Sequence, residues 1–203
     1  MAEIKLTGEL EKFSYALGMS IASNLIKSGV ETIHPEAFLA AINDTFIGEM
    51  PKLLPDEANR VLEDFMKNIN NGKANKNKEA GAEFLARNKE KEGVVELPSG
   101  LQYKVIFPGN GNVPELTDEV QCHYHGTLID GTVFDSSVER GQPAIFPVNA
   151  VIQGWVEALQ MMRVGSKWQL FIPSDLAYGN QGAGDVIAPD STLIFEVELL
   201  KII

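Results

Sequence analysis

The chain has 203 residues, enough for one large domain or two small ones. Its net charge of −11 argues against a nucleic-acid binder, which needs a basic face, and disfavours adhesion to anionic membranes. The single cysteine, Cys122, excludes an intrachain disulfide and fits a reducing compartment.

The N-terminus, "MAEIKLTGELEKFSYALG", has no basic start followed by an apolar run, so it reads as leader-free. No stretch reaches membrane-spanning length, and membrane insertion is not expected. Leu10, Phe13, Leu17, Ile21 and Leu25 recur at helical spacing, with Gly29 as a stop. A second helix should open near Pro35 and end before Gly48, and a third should open after Pro55 with Ala58, Leu62, Phe65 and Ile69 as its stripe. The following "NINNGKANKNKEAG", Asn68 to Gly81, is rich in poor helix formers. This region is therefore one long helix with a weak middle, or two helices with a flexible joint. A continuous helix to Glu92 would be roughly 55 Å long at about 1.5 Å per residue. Three such stripes make a thin core, so the reading favours a symmetric dimer over a self-contained helical hairpin.

From Val94 onward the period is two. Leu101, Tyr103, Val105 and Phe107 alternate with Gln102, Lys104 and Ile106; Val120, Cys122, Tyr124 and Leu128 alternate with Gln121, His123, His125 and Thr127. Trp168, Leu170 and Ile172 share one face, as do Leu193, Phe195, Val197 and Leu199. Such patterns predict antiparallel strands with one wet face. "HYHGTLIDGTVFDSS" reads as two strands joined at Asp130-Gly131. "NAVIQGWVEALQMM" reads as a short helix with Val151, Trp155, Ala158 and Leu159 turned inward. The fold class is therefore α+β: an antiparallel sheet wrapped on one short helix, residues 94–203, preceded by an all-helical region, residues 1–93.

The usual catalytic sets are missing. His123 and His125 share a strand face, but no third ligand has a claim, so no metal site is expected. "GNQGAGD" lacks the Lys-Ser/Thr ending or helix opening of a phosphate loop and reads as a flap. Cys122 lies on an apolar face, and no Gly-x-Ser-x-Gly or Ser/His/Asp set stands out. What remains is a group of aromatics at strand ends and turns: Tyr124, Phe134, Phe146, Trp155, Tyr178 and Phe195. They could be plain core. Against that, Tyr178 lies in a loop, and Asp135 follows Phe134 and needs a partner if buried, with Tyr124 and Arg140 as candidates.

"YHGTLIDGTVFDSS", "VIQGWVEALQMMRVGSKWQLFIP", "LAYG" and "TLIFEVELL" resemble the FKBP family of peptidyl-prolyl cis–trans isomerases, in the right order and over about half the chain. The helical half is similar to the dimerisation region of bacterial two-domain FKBPs, the group that includes FklB-type members and macrophage infectivity potentiator. The resemblance implies a five- to six-stranded sheet curled around a helix at 151–161, with a pocket between them and Trp155 as its floor. Its walls would be Tyr124, Phe134, Phe146, Val151, Ile152, Tyr178 and Phe195, with Val186 and Ile187 in the flap. It gives substrate-carbonyl contacts to Tyr178 and the Ile152 backbone N–H, and places Asp135 at the pocket edge beside the rotating bond. Asp135, Tyr178, Ile152 and Phe195 would then be catalytic and the others substrate-binding. Ala144, Ala183 and Ala188-Pro189 depart from common members at the rim and flap, which touches substrate preference and macrolide affinity.

The resemblance further implies a homodimer acting on proline-containing unfolded or nascent polypeptides, able to take macrolides of the FK506/rapamycin type. No cofactor is implied. The expected compartment is the cytoplasm, with the periplasm as the alternative. A non-catalytic proline-segment binding module, a dimeric holdase, is the competing reading.

Overall fold

The computed structural model describes residues 5–203. The first four residues, on which the leader-free reading partly rests, lie outside them. The chain divides into two compact units between Ile69 and Asn70.

The first unit holds α1 (Glu9–Lys27), α2 (Pro35–Ile47) and the opening of α3 (Pro55–Asn88). Local chemistry sets the ends of the first two helices. The Glu11 carboxylate accepts the Gly8 N–H ahead of α1, and beyond its end the Val30 N–H donates back to the Leu25 carbonyl at 2.9 Å. Pro35 occupies the first turn of α2, His34 Nδ1 accepts the Ala37 N–H at 3.3 Å, and Gly48 ends the helix in the left-handed region. Neither α1 nor α2 buries a residue, and Leu10, Phe13 and Phe46 stand 76 %, 64 % and 85 % exposed.

α3 runs unbroken through the Asn- and Gly-rich segment, resolving the sequence alternatives in favour of one continuous helix that stops at Asn88 rather than Glu92. Its last turns belong to the second unit and rest on the sheet there, which compensates for the low intrinsic helix preference of this stretch.

The sheet comprises β1 (Val94–Glu96), β2 (Gln102–Phe107), β3 (Glu119–Leu128), β4 (Val133–Ser136), β5 (Ala144–Pro147), β6 (Lys167–Ile172) and β7 (Leu193–Ile202), with α4 (Gln153–Leu159) between β5 and β6. The order is β1-β2-β6-β7-β3-β4, with β5 paired to the start of β3, and every pairing is antiparallel. The described sheet thus has seven strands rather than five or six. On β3 and β7 the expected alternation holds, burying Val120, Cys122, Tyr124, Val197 and Leu199. They form one core with Ala158, Leu159, Met162, Leu170 and Ile172. Burial raises the Cys122 thiol pKa to about 12, which suits its packing role.

Two expectations need correction. Gln102, placed on the wet face of β2, is fully buried, while Val105 and Phe107, placed on the apolar face, are exposed. The end of α3 covers that face. Phe84 packs on Phe171 with ring centroids 6.0 Å apart, and Gln102 Nε2 donates to the Leu85 carbonyl at 2.9 Å and to Glu96 Oε1 at 3.0 Å. Asn88 Nδ2 donates to Gln102 Oε1 at 3.0 Å. A buried amide is tolerated because its polar atoms are met there. The short helix is also shorter than expected: Val151 and Ile152 precede α4, since Ile152 is its N-cap with extended backbone, φ −60° and ψ 150°.

Candidate isomerase site

The β3–β4 hairpin turns at Asp130-Gly131. Asp130 Oδ1 accepts the Thr132 N–H at 2.9 Å, and Leu128 N–H bonds the Thr132 carbonyl at 2.9 Å. The returning strand carries Phe134 and Asp135. Gly126 of β3 lies opposite Asp135 on one side and opposite Phe195 of β7 on the other. A Cβ there would come within 2.7 Å of the Phe134 ring and 2.9 Å of the Phe195 ring. The missing side chain lets these rings meet edge to face, with centroids 5.3 Å apart.

α4 supplies Trp155, which is 4 % exposed. Tyr124, Phe146 and Phe195 meet it edge-on, with centroids 5.5, 5.7 and 5.3 Å away. Gly154 lets the helix close onto the sheet: a Cβ at that position would lie 2.6 Å from Ile172 Cγ2. Above this floor is a cavity of about 680 Å³, within the usual size of ligand pockets. Every residue expected at the site lines it: Tyr124, Phe134, Asp135, Phe146, Val151, Ile152, Trp155, Tyr178, Val186, Ile187 and Phe195.

Asp135 sits at the edge. Its carboxylate accepts the Tyr124 hydroxyl at 2.5 Å and pairs with the Arg140 guanidinium, which also donates to the Tyr124 oxygen at 2.8 Å. Burial alone would push the Asp135 carboxyl up, but the Tyr124 and Arg140 hydrogen bonds together hold it below the usual carboxylate range. Burial, reinforced by the hydrogen bond to Asp135, pushes the Tyr124 phenol up, so it stays protonated. The triad leaves the carboxylate charged and both Tyr124 polar contacts satisfied.

The flap side is closed by reciprocal bonds, Ala183 N–H to the Ile187 carbonyl at 2.8 Å and Ile187 N–H to the Ala183 carbonyl at 3.1 Å. Tyr178 caps a 3-10 turn at the rim and is 39 % exposed. As N-cap of α4, Ile152 accepts the Trp155 and Val156 N–H groups through its carbonyl, while its own N–H precedes the helical ladder.

Sequence reasoning missed Ala150, Gly184 and Asp185 in the lining and Gly126 beneath the rings. The signal for Gly126 was available: a glycine inside an otherwise regular strand marks close approach. Ser137 was missed too. Fully buried, its Oγ accepts the Tyr124 N–H at 2.7 Å and so ties the strand that carries Tyr124 to the residues following Asp135. His123 and His125 point their Nδ1 atoms at Ser137 Oγ and Ser136 Oγ, 3.1 and 3.0 Å away.

Known proteins resemble this chain in both sequence and fold. Residues 111–200 match the family described as FKBP-type peptidyl-prolyl cis-trans isomerase, and residues 10–105 match the domain amino terminal to it. The chain is 49 % identical over 193 residues to the FKBP-type 22 kDa peptidyl-prolyl cis-trans isomerase of Escherichia coli, covering 94 % of each. It is 43 % identical over 204 residues to the outer membrane protein MIP of Legionella longbeachae, covering 97 % of this chain and 87 % of that one. The crystal structure of FkpA from Escherichia coli superposes with a TM-score of 0.74 at 33 % identity, over 98 % of both chains. With both halves matched and the fold shared, the chain belongs to the FKBP-type peptidyl-prolyl cis–trans isomerases.

Proposed function

We propose that the aromatic cavity is the isomerase site and that it works by desolvation rather than by bond-making chemistry. The carrying observation is an apolar pocket of about 680 Å³ with one charged triad at its edge. Rotation about a prolyl peptide bond breaks amide resonance, at a barrier of roughly 18–20 kcal/mol. The planar amide is dipolar and well hydrated; the twisted amide has lost that charge separation. An apolar pocket therefore favours the twisted state relative to water. No bond is made, so no nucleophile is needed.

In this reading the proline ring lies on the Trp155 face, with Phe195 and Phe146 beside it. Tyr178 and the Ile152 N–H hold substrate carbonyls. Asp135, charged and fixed by Tyr124 and Arg140, shapes the field beside the rotating carbonyl without giving up a proton. Tyr124, Phe134, Val151, Val186 and Ile187 complete the wall. A macrolide of the FK506/rapamycin type would occupy the same cavity.

The exposed apolar stripes of α1 and α2 support a homodimer through the N-terminal helices. Two pockets on one dimer would grip an unfolded chain at two points, the avidity of a chaperone. Of the two expected compartments, the cytoplasm and the periplasm, we favour the periplasm. The name of the Legionella longbeachae relative, an outer membrane protein, favours the envelope. Among the described residues, no helix is long and apolar enough to cross a membrane.

The test of the site is cis-to-trans exchange of a short X–Pro peptide in a protease-free assay, with intact protein and with Asp135→Val. Fast exchange that falls about tenfold or more in the variant, on the scale of one charge-assisted hydrogen bond, is expected. Equal rates from two equally folded proteins would remove Asp135 from the site.

A further inference from the structure

The polar segment of α3 that reads as a weak joint has a second use. Asn77 and Gly81 lie one turn apart on one helix face, and both meet the stretch joining the flap to β7. Asn77 Nδ2 donates to the Pro189 carbonyl at 2.8 Å and reaches Ser191 Oγ at 3.4 Å. Ser191 Oγ in turn donates to the Ala188 carbonyl at 2.7 Å. Gly81 is buried against Thr192, where a Cβ would stand 2.3 Å from Thr192 Oγ1. Gly81, Asn77 and residues 188–192 all belong to the second compact unit.

We propose that Asn77 and Gly81 are positioning residues for the flap: by fixing its stem, residues 188–192, α3 sets how tightly the cavity holds a proline segment. The stem needs such a hold. Asp190 has φ 56°, the only positive value at a non-glycine among the described residues; aspartate reaches this region more readily than most residues, but still at a cost that the fold around it must offset. Its N–H bonds the Gly179 carbonyl at 2.9 Å, next to Tyr178. The stem therefore links α3 to both sides of the rim: to Ile187 through Ala188, and to Tyr178 through Gly179. Gly81, costly inside a helix, is explained by the close approach that lets α3 reach the stem.

The inference rests on the cavity being the peptide site, and the experiment separates the two. In the full chain, Asn77→Ala, Gly81→Ala and Gly81→Ala/Thr192→Ala are compared with wild type. KM and kcat are read for an X–Pro peptide, alongside hydrogen exchange at the Ala183 and Ile187 amides. Loss of the Asn77 bond should speed exchange at both amides and raise KM about three- to tenfold, with kcat within about twofold. Gly81→Ala should act in the same direction, and removal of the Thr192 hydroxyl should recover part of the loss. Wild-type exchange at Ala183 and Ile187 in Asn77→Ala would overturn the inference. Faster exchange with unchanged KM would overturn it as well, since α3 would then hold the flap without setting how tightly the cavity holds the peptide, whereas the placement of the peptide is tested separately by Asp135→Val. If Gly81→Ala does not fold, Asn77→Ala, at a half-buried helix position, carries the test alone.

Discussion

Gly126→Ala is the substitution for which the structure gives the most complete reckoning. The added Cβ would lie 2.7 Å from Phe134 Cε2 and Cζ and 2.9 Å from Phe195 Cε1. Comfortable carbon–carbon contact begins at about 3.5 Å, so the rings must retreat by roughly 1 Å. Phe195 cannot give way, because it is 5 % exposed and set edge-on against Trp155 at 5.3 Å. Phe134 is only partly buried and will be the ring that moves. Overpacking of this kind costs about 1–3 kcal/mol, and a ring that can turn outward keeps the cost in the lower half of that range. For the second unit, residues 70–203, this corresponds to a melting temperature lower by about 4–8 °C. Displacing one aromatic wall should also lower kcat/KM by about tenfold, the equivalent of ~1.4 kcal/mol of lost transition-state contact. Thermal denaturation followed by circular dichroism and the protease-free peptide assay measure the two effects. An unchanged melting temperature would refute the packing argument. A lowered melting temperature with kcat/KM within about twofold of wild type would show that Phe134 does not face the substrate.

Two further outcomes are expected. The folded Asp135 carboxyl is held below its unfolded value, so its stabilising contribution is complete above about pH 4 and is lost as pH falls through the lower folded value. The stability gap between wild type and Asp135→Val should therefore be constant from about pH 8 to pH 5 and shrink below about pH 4, and activity should not titrate in the upper range. An activity midpoint above about pH 5 that disappears in Asp135→Val would overturn the reading that this carboxyl stays charged throughout that range. In the first unit, Phe13→Glu with Phe46→Glu should convert the protein from twice the chain mass to one chain mass in sedimentation equilibrium, while the peptide assay is unaffected; a wild type already monomeric at tens of micromolar would end the dimer proposal.

Much of the molecule follows from patterns a few residues long. Helix ends at Pro35 and Gly48, the Asp130-Gly131 turn and the alternation along β3 and β7 are set by backbone periods and local hydrogen bonds. These short-range terms act whatever the rest of the chain does. The aromatic identities around Asp135, with the family resemblance they carry, were legible for the same reason: the residue types stand in the sequence.

Tertiary structure alone decided how distant surfaces meet. The segment from Asn68 to Gly81 has weak local helix preference, yet α3 passes through it unbroken, with its later turns resting on the sheet and the flap stem. Gln102 reads as solvent-facing by alternation, yet it is buried because Leu85, Asn88 and Glu96 satisfy its amide. Gly126 marks a close approach within its strand but does not say which two rings meet above it, and nothing near Asn77 announces Pro189, more than a hundred residues away. Period and propensity describe a residue's relation to its near neighbours. Close approach and hydrogen-bond satisfaction across the fold depend on which elements are brought together, and only the packed chain specifies that.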